Sequence, residues 1–497
     1  MTAREGRGRR ARRIVVLGIA TVSAAAAVVG IGAVAGAVDP ADQQAVAVTP
    51  TAPRPTVTAV GASSTGSSTR TAVRTSVTVR NTGKARTSAL PAWLYLASSS
   101  GRYALGHVPV RALAAGRTAT VRATLTTAAR VPPGEYAVVA CTGVYSASTC
   151  RTSTSTVRTG HTTPARPETG VMLDVARAYY RPSLIEQYVD LLAAHGGRFL
   201  HLHLTDDQNV GIESAVLGQT TANADLHDGV YTSRVTGRPF LSTAQARGIA
   251  AYAAECGIAI VPEVDTPGHM AAAFALLEAR HGKRWVDRIR SGESELDPSA
   301  PGSIALARDL LAEVTRTFPQ SRAVHIGGDE WGEDVSPRER VTWLNTMAAA
   351  VGTRSVWAWN DGIDRSVVGL LDPRIRVTYW SLDGDTEDAT ERPERRQHSA
   401  RASDLAGAGT DLLDYDSYYL YEVPTDLDPA DAAYTAADLR RHWTLRSWDG
   451  DSGSRLASPM SGAAVAVWGE DLDAPPSPAL LRWSTPHVVA MIETADG

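Results

Sequence analysis

The chain has 497 residues, more than one domain usually holds, so two folded units with ancillary segments are expected. Hydrophobic residues make up 43% and charged residues 21%, which excludes a wholly disordered chain and supplies apolar material for a core. A formal net charge of -4 argues against a nucleic-acid partner, since no long basic face is expected beyond the N-terminus.

Arg7, Arg9, Arg10, Arg12 and Arg13 precede an uncharged apolar or small-residue run over 14–38, the pattern of an export signal. Ala35-Gly36-Ala37 offers a signal-peptidase site, and the run is also long enough to stay as a membrane anchor. Residues 1–38 are therefore read as signal peptide or anchor, and the protein is expected to be secreted or held at the cell surface, touching membrane only there. Residues 39–69, rich in Ala, Thr, Pro, Gly and Ser without apolar period, read as a flexible linker.

Over 70–158, alternating stretches such as Val73 to Val79, Ala92 to Leu96 and Thr118 to Ala123 are broken by turn signals, including Asn81-Thr82-Gly83 and Pro132-Pro133-Gly134. Short strands at this spacing predict a small antiparallel β-sandwich. Cys141 and Cys150 flank a turn-like stretch and suit a disulfide-closed hairpin; Cys256, after a helical pattern, is read as an inert buried thiol. Val79-Arg80-Asn81-Thr82-Gly83, the Pro-Pro-Gly turn and the cysteine pair together resemble the adhesion-type immunoglobulin-like modules of exported bacterial proteins.

A connector over 159–169 follows. From 170 to 497 apolar strands alternate with helical patterns, which implies a parallel sheet. Eight strands are expected: Val171–Val175, Phe199–Leu204, Ile258–Val264, Ala323–Ile326, Ser355–Trp359, Val377–Trp380, Leu412–Tyr415 and Ala463–Trp468. Eight such units closing on themselves make an α/β fold of the (β/α)8, or TIM barrel, type. Strand after strand ends in polar or aromatic residues: Asp174 and Arg177, His203 and Asp206, Glu263 and Asp265, Asp329 and Glu330, Trp359 and Asp361, Trp380 and Asp383, Trp468 and Glu470. In such barrels the C-terminal strand ends build the site, so these residues describe a ring around one pocket.

The most specific signal is Val324-His325-Ile326-Gly327-Gly328-Asp329-Glu330-Trp331. Two carboxylates held close cannot both ionise freely, which suits one of them to general acid work. With Gly170-Val171-Met172-Leu173-Asp174-Val175-Ala176-Arg177, His201-Leu202-His203-Leu204-Thr205-Asp206-Asp207 and Pro262-Glu263-Val264-Asp265-Thr266-Pro267-Gly268-His269, the run resembles glycoside hydrolase family 20, the β-N-acetylhexosaminidases. Trp359-Asn360-Asp361-Gly362, Thr378 to Thr386, Asp416 to Pro424 and Ala466 to Asp471 are similar to the dispersin branch of that family, which degrades the poly-β-1,6-N-acetylglucosamine of biofilm matrix.

The resemblance implies substrate-assisted retaining hydrolysis, with Glu330 as general acid and then base, and Asp329 steering the sugar's 2-acetamido group. Trp359, Trp380 and Trp468 would wall the pocket; Arg177, Asp206 and Glu470 would hydrogen-bond sugar hydroxyls; His269 would support the acid through a polar network with Asp265. Where the wider family has Tyr-Leu-Asp this chain has Tyr419-Leu420-Tyr421, so either Tyr419 or Tyr421 could contact the acetamido oxygen. Glu333 stands where the dispersin branch has Tyr, and Asp388 falls in a loop where that branch also has an acid, there able to attract de-N-acetylated cationic units.

No metal-ligand spacing or phosphate-binding glycine loop is present, so no metal or cofactor is expected, and the partner is an N-acetylglucosamine-containing polysaccharide. The same residues would serve an exo-β-N-acetylhexosaminidase on chitin oligosaccharides or glycans. A non-catalytic glycan-binding surface protein is the reading from another class, against which the intact Asp329-Glu330 pair argues.

Overall fold

From Pro55 to Thr159 buried side chains recur at strand period, and the chain forms seven antiparallel strands: β1 (Pro55–Thr65), β2 (Ala72–Asn81), β3 (Leu90–Ser98), β4 (Gly101–Val110), β5 (Thr118–Thr126), β6 (Gly134–Thr142) and β7 (Cys150–Thr159). The computed structural model describes residues 52–496 apart from 66–70, 100, 129–130, 147, 161–165, 333, 387, 451 and 471–474. The export signal or anchor, residues 161–165 of the connector, and Glu333 thus lie outside the described residues. One sheet has the order β1-β2-β5 and the other β4-β3-β6-β7. Val57, Val73, Val77, Val79, Leu94, Leu96, Val108, Val138 and Val157 fill the space between them. Cys141 and Cys150 are joined in a disulfide between β6 and β7, while Cys256 is half-buried and outside any disulfide.

The sandwich begins earlier than the sequence reading placed it. Residues 55–65, assigned to a flexible linker, form β1, paired with β2 from Pro55↔Asn81 to Thr65↔Ala72. As an edge strand β1 buries only Val57 fully, so small and hydroxyl residues suffice for the rest and the apolar alternation is weak.

Eight parallel strands follow: β8 (Glu168–Asp174), β9 (Phe199–His203), β10 (Ala259–Glu263), β11 (Ala323–His325), β12 (Ser355–Trp359), β13 (Ile375–Tyr379), β14 (Asp411–Asp414) and β15 (Gly462–Val467). Each pairs with the next, and β15 pairs with β8 from Gly462↔Glu168 to Val467↔Leu173, which closes the barrel. Alternation divides the side chains between two cores. Met172, Val261, Trp357, Leu413 and Ala464 fill the lumen, while Val171, Leu173, Leu200, Leu202 and Val324 pack outward against helices. The first helix, Pro182–His195, buries Leu184, Ile185, Tyr188, Val189 and Leu192 and stops at Gly196 in the left-handed region, as its sequence pattern predicts.

The β4-β3-β6-β7 sheet turns its outer face to the base of the barrel. Tyr95 donates to Asp372 Oδ1 at 3.1 Å, and Arg374 pairs with Asp372 Oδ2 at 2.6 Å while lying 4.6 Å over the Trp93 ring. The Arg102 amide donates to Ala408 O at 2.9 Å. These partners precede β13 and β14, so the sandwich docks at the N-terminal strand ends and leaves the opposite mouth clear.

Candidate active site

His201 and His203 alternate on β9 and so both point into the lumen, where Glu263 at the end of β10 meets them. Glu263 is fully buried; its Oε2 lies 2.7 Å from His203 Nδ1 and 3.0 Å from His201 Nε2, and its Oε1 lies 2.8 Å from His325 Nδ1 and accepts from Trp359 Nε1 at 2.8 Å. Burial alone would raise this carboxyl, yet the three imidazoles hold it well below the usual carboxylate range. His201 is pushed down to about 4 by burial and is neutral at pH 7, whereas His203, against the same burial, is held well above the ordinary histidine range by Glu263 and Asp206.

The network continues outward. His203 Nε2 lies 3.1 Å from Asp206 Oδ2, and the same oxygen is 2.8 Å from Arg177. Arg177 also pairs with Asp174 at 3.1 Å, stands 3.7 Å from Glu470, and lies 5.1 Å over Trp468. A guanidinium clamped by three acids presents fixed, directional donors at the rim.

Beyond β11 the chain turns sharply, with φ of 74° at Gly327, 101° at Gly328 and 45° at Glu330. A Cβ on Gly327 would overlap Asp265 Oδ1 and the Thr266 amide, so glycine is required for the loop to close. The turn sends the two carboxylates to different environments. Asp329 is buried, and its Oδ1 has no hydrogen-bond partner; the Glu330 side chain is 57% exposed. His269 sits between them, its Nε2 3.6 Å from Asp329 Oδ2 and 3.4 Å from Glu330 Oε2. Burial would favour the neutral imidazole, but Asp207, Asp329, Asp206 and Glu330 raise it to about 10, so it is a cation at neutral pH. Asp265, beneath the pair, is pushed well up by burial and by Asp329.

Asp361 ties the acid to the wall. Its Oδ2 accepts from the Glu330 amide at 3.4 Å and its Oδ1 from Trp380 Nε1 at 2.5 Å, and burial with Asp329 and Glu330 nearby raises it to about 7. Trp359, Trp380 and Trp468 are each less than a tenth exposed. Tyr421 stacks on Trp380 with ring centroids 5.7 Å apart and planes 4° from parallel, and meets Trp468 edge-on at 5.5 Å. Aromatic faces of this kind suit the C–H faces of a sugar.

Three groups, His201/Glu263/His325, His203/Glu263/Asp265 and Asp265/His269/Asp329, bring possible metal-ligand atoms within 4.8 Å. In the first two, Glu263 is already engaged by Trp359 Nε1 and His203 Nδ1; in the third, the His269 cation stands 3.6 Å from Asp329 and 3.9 Å from Asp265.

A family model for the glycosyl hydrolase family 20 catalytic domain matches residues 169–490. The chain belongs to this family. It is similar to a beta-hexosaminidase of Vibrio furnissii, 31% identical over 199 residues, covering 36% of this chain and 30% of that one. It is also similar to a beta-N-acetylhexosaminidase of Cellulomonas fimi, 29% identical over 223 residues, covering 44% and 43%. The chain thus spans less than half the length of these relatives. The crystal structure of Dispersin B superposes with a TM-score of 0.65 at 36% identity, covering 67% of this chain and all of that one. A second family model, CARDB, matches residues 55–145, the sandwich.

In this family 20 chain the fold gathers Arg177, Asp206, His269, Asp329, Glu330, Trp359, Trp380, Tyr421, Trp468 and Glu470 at one mouth. It does not bring Tyr419 there. The short helix Ser417–Leu420 rotates that side chain onto the outer core, 4.8 Å from Tyr418, with its carbonyl accepting from His487, so of the two tyrosines Tyr421 faces the site. Asp388 is exposed and its Oδ1 accepts from the Thr390 and Glu391 amides and the Thr390 hydroxyl, fastening the start of the helix Glu391–His398. Its contacts among the described residues stay within that loop. Glu263, His201, His203, His325 and Asp361 carry structural weight that the sequence reading did not assign, although most stood among its strand ends.

Proposed function

We propose that this chain hydrolyses β-linked N-acetylglucosamine polysaccharide outside the cell, with poly-β-1,6-N-acetylglucosamine of biofilm matrix as its substrate, and that the substrate supplies the nucleophile. The observation that carries this reading is Asp329 Oδ1, buried without a partner beside an accessible carboxyl group, Glu330. A buried carboxylate oxygen left unpaired is costly unless a ligand fills its need. The acetamido N–H of a bound sugar would do so, turning the acetamido carbonyl oxygen toward C1.

That oxygen attacks C1 as the glycosidic C–O bond breaks, and Glu330 gives its proton to the departing oxygen. Asp329 stabilises the positive charge of the resulting oxazolinium ion, while Trp359, Trp380, Tyr421 and Trp468 shield it from stray water. Glu330, now a carboxylate, takes a proton from water that attacks C1, restoring the acetamido group with retained configuration. Arg177, Asp206 and Glu470 hold sugar hydroxyls. The β-1,6 linkage is supported by the sequence likeness to the dispersin branch and by the complete overlap with Dispersin B.

Purified protein incubated with poly-β-1,6-N-acetylglucosamine, followed by sizing of the products, tests the proposal. Shortened chains with wild type, and turnover lowered by about 10²–10⁴ with Glu330→Gln, are expected. Faster release of single sugars from β-1,4-linked oligomers would point instead to an exo-hexosaminidase.

A further inference from the structure

The near-neutral net charge of the chain conceals a strong division. Residues 55–159 contain twelve Lys and Arg against one acid, Glu135, whereas residues 168–497 contain 29 Lys and Arg against 49 Asp and Glu. The sequence reading expected no long basic face beyond the N-terminus; the whole-chain charge it rested on hides the excess of cations in the sandwich.

Four of these cations, Arg80, Lys84, Arg86 and Arg117, gather with Arg54 at one end of the β1-β2-β5 sheet, around a single buried side chain. Asn81 is fully buried; its Oδ1 accepts from the Arg54 amide at 3.1 Å and the Gly83 amide at 3.0 Å, and its Nδ2 donates to Ala85 O at 2.7 Å and Leu113 O at 3.0 Å. Its own amide donates to Arg117 O at 2.9 Å. A Cβ on Gly83 would meet the Ala52 carbonyl and the Arg54 amide, so the turn admits only glycine. Arg54, Arg80, Lys84, Arg86 and Arg117 are thereby pinned about one hub, and all five are exposed. None forms an ion pair with a described acid; Glu135 is taken by Arg158 at 2.6 Å. Like charges held together on a rigid frame repel one another, a cost that an anionic partner reverses.

The barrel covers the other sheet, so the outer face of β1-β2-β5 remains open and continues the cationic end with Arg74 and Arg122 among Thr58, Thr78 and Thr120. Guanidinium forks pair with carboxylates, and threonine hydroxyls with sugar hydroxyls. Among the described residues every exposed large apolar side chain lies in the barrel, so the described part of this face has no ring on which a nucleic-acid base would stack.

We propose that the Asn81 end of the sandwich docks a carboxylate-bearing acidic polysaccharide and so holds the barrel against a glycan matrix. The full chain is passed over immobilised polygalacturonate, with neutral dextran and duplex DNA as comparison matrices. A variant carrying Arg80→Ser, Lys84→Ser, Arg86→Ser and Arg117→Ser is run alongside, its melting temperature and its turnover of a small aryl N-acetylglucosaminide confirming an intact fold. A second variant, Arg238→Ser with Arg247→Ser, removes barrel charge instead. Wild type and the barrel variant should be retained on polygalacturonate, released by salt and ignored by dextran, while the sandwich variant binds about tenfold more weakly or worse. Equal retention of all three proteins, no retention of wild type, or tighter binding to duplex DNA would overturn the proposal.

Discussion

At the scale of single residues, the proposed chemistry rests on two carboxyl groups with one histidine between them. The sequence places Asp329 and Glu330 side by side, but the left-handed backbone at Glu330 gives one a buried and the other an open environment. Asp416 shows what burial does to a carboxyl group with no cation beside it: it is 2% exposed, its Oδ2 has no partner, and burial, with Asp385 and Asp449 nearby, raises it to about 7. A carboxyl raised in the folded state binds its proton more tightly there than in the unfolded chain. Its contribution to stability is therefore complete below about pH 4 and is lost as pH rises through about 7. Asp416→Asn keeps an oxygen for the Tyr418 amide, which donates to Asp416 Oδ1 at 3.1 Å, and removes the titration. Melting curves should show the variant gaining several degrees over wild type at pH 8 and little or nothing at pH 4. An equal offset at both pH values would mean that Asp416 does not titrate in this window.

At the scale of elements, the turn that follows β11 leaves little room for change. Gly327→Ala combines a backbone conformation that alanine resists with overlap on Asp265 Oδ1. It should cost roughly 2 kcal/mol or more in denaturant unfolding and lower kcat at least about tenfold by displacing Asp329. The strands themselves were legible. Each of the eight expected barrel strands overlaps an observed one, because apolar runs buried on both faces leave little else for the chain to do. β1 was not legible, since an edge strand that buries one valine fully looks like a linker. Nor was the choice between Tyr419 and Tyr421, which the turn of the helix Ser417–Leu420 decides. The His201–Glu263–His325 cluster was hidden for another reason: its members are about 60 residues apart, and only the closed barrel makes them neighbours.

For the whole molecule, sandwich and barrel are joined by ordered polar contacts at the base, opposite the site. Asp372 is fully buried and relies on Arg374, Tyr95 and the Arg374 amide. Arg374→Ala would strand that charge and cost about 3–5 kcal/mol, enough to uncouple the two units. Calorimetry should show one unfolding transition in wild type and two in the variant; a single unshifted transition would show that the contact does not couple them. The site at the other mouth should be unaffected in its chemistry.

The central claim concerns which molecule brings the nucleophile. Comparison of kcat/KM for an aryl β-N-acetylglucosaminide and the aryl β-glucoside with the same leaving group measures it directly, since the two differ only in the 2-acetamido group. Turnover of the first with none detectable for the second is the predicted result. Comparable turnover of both would require a nucleophile from the protein and would contradict the account.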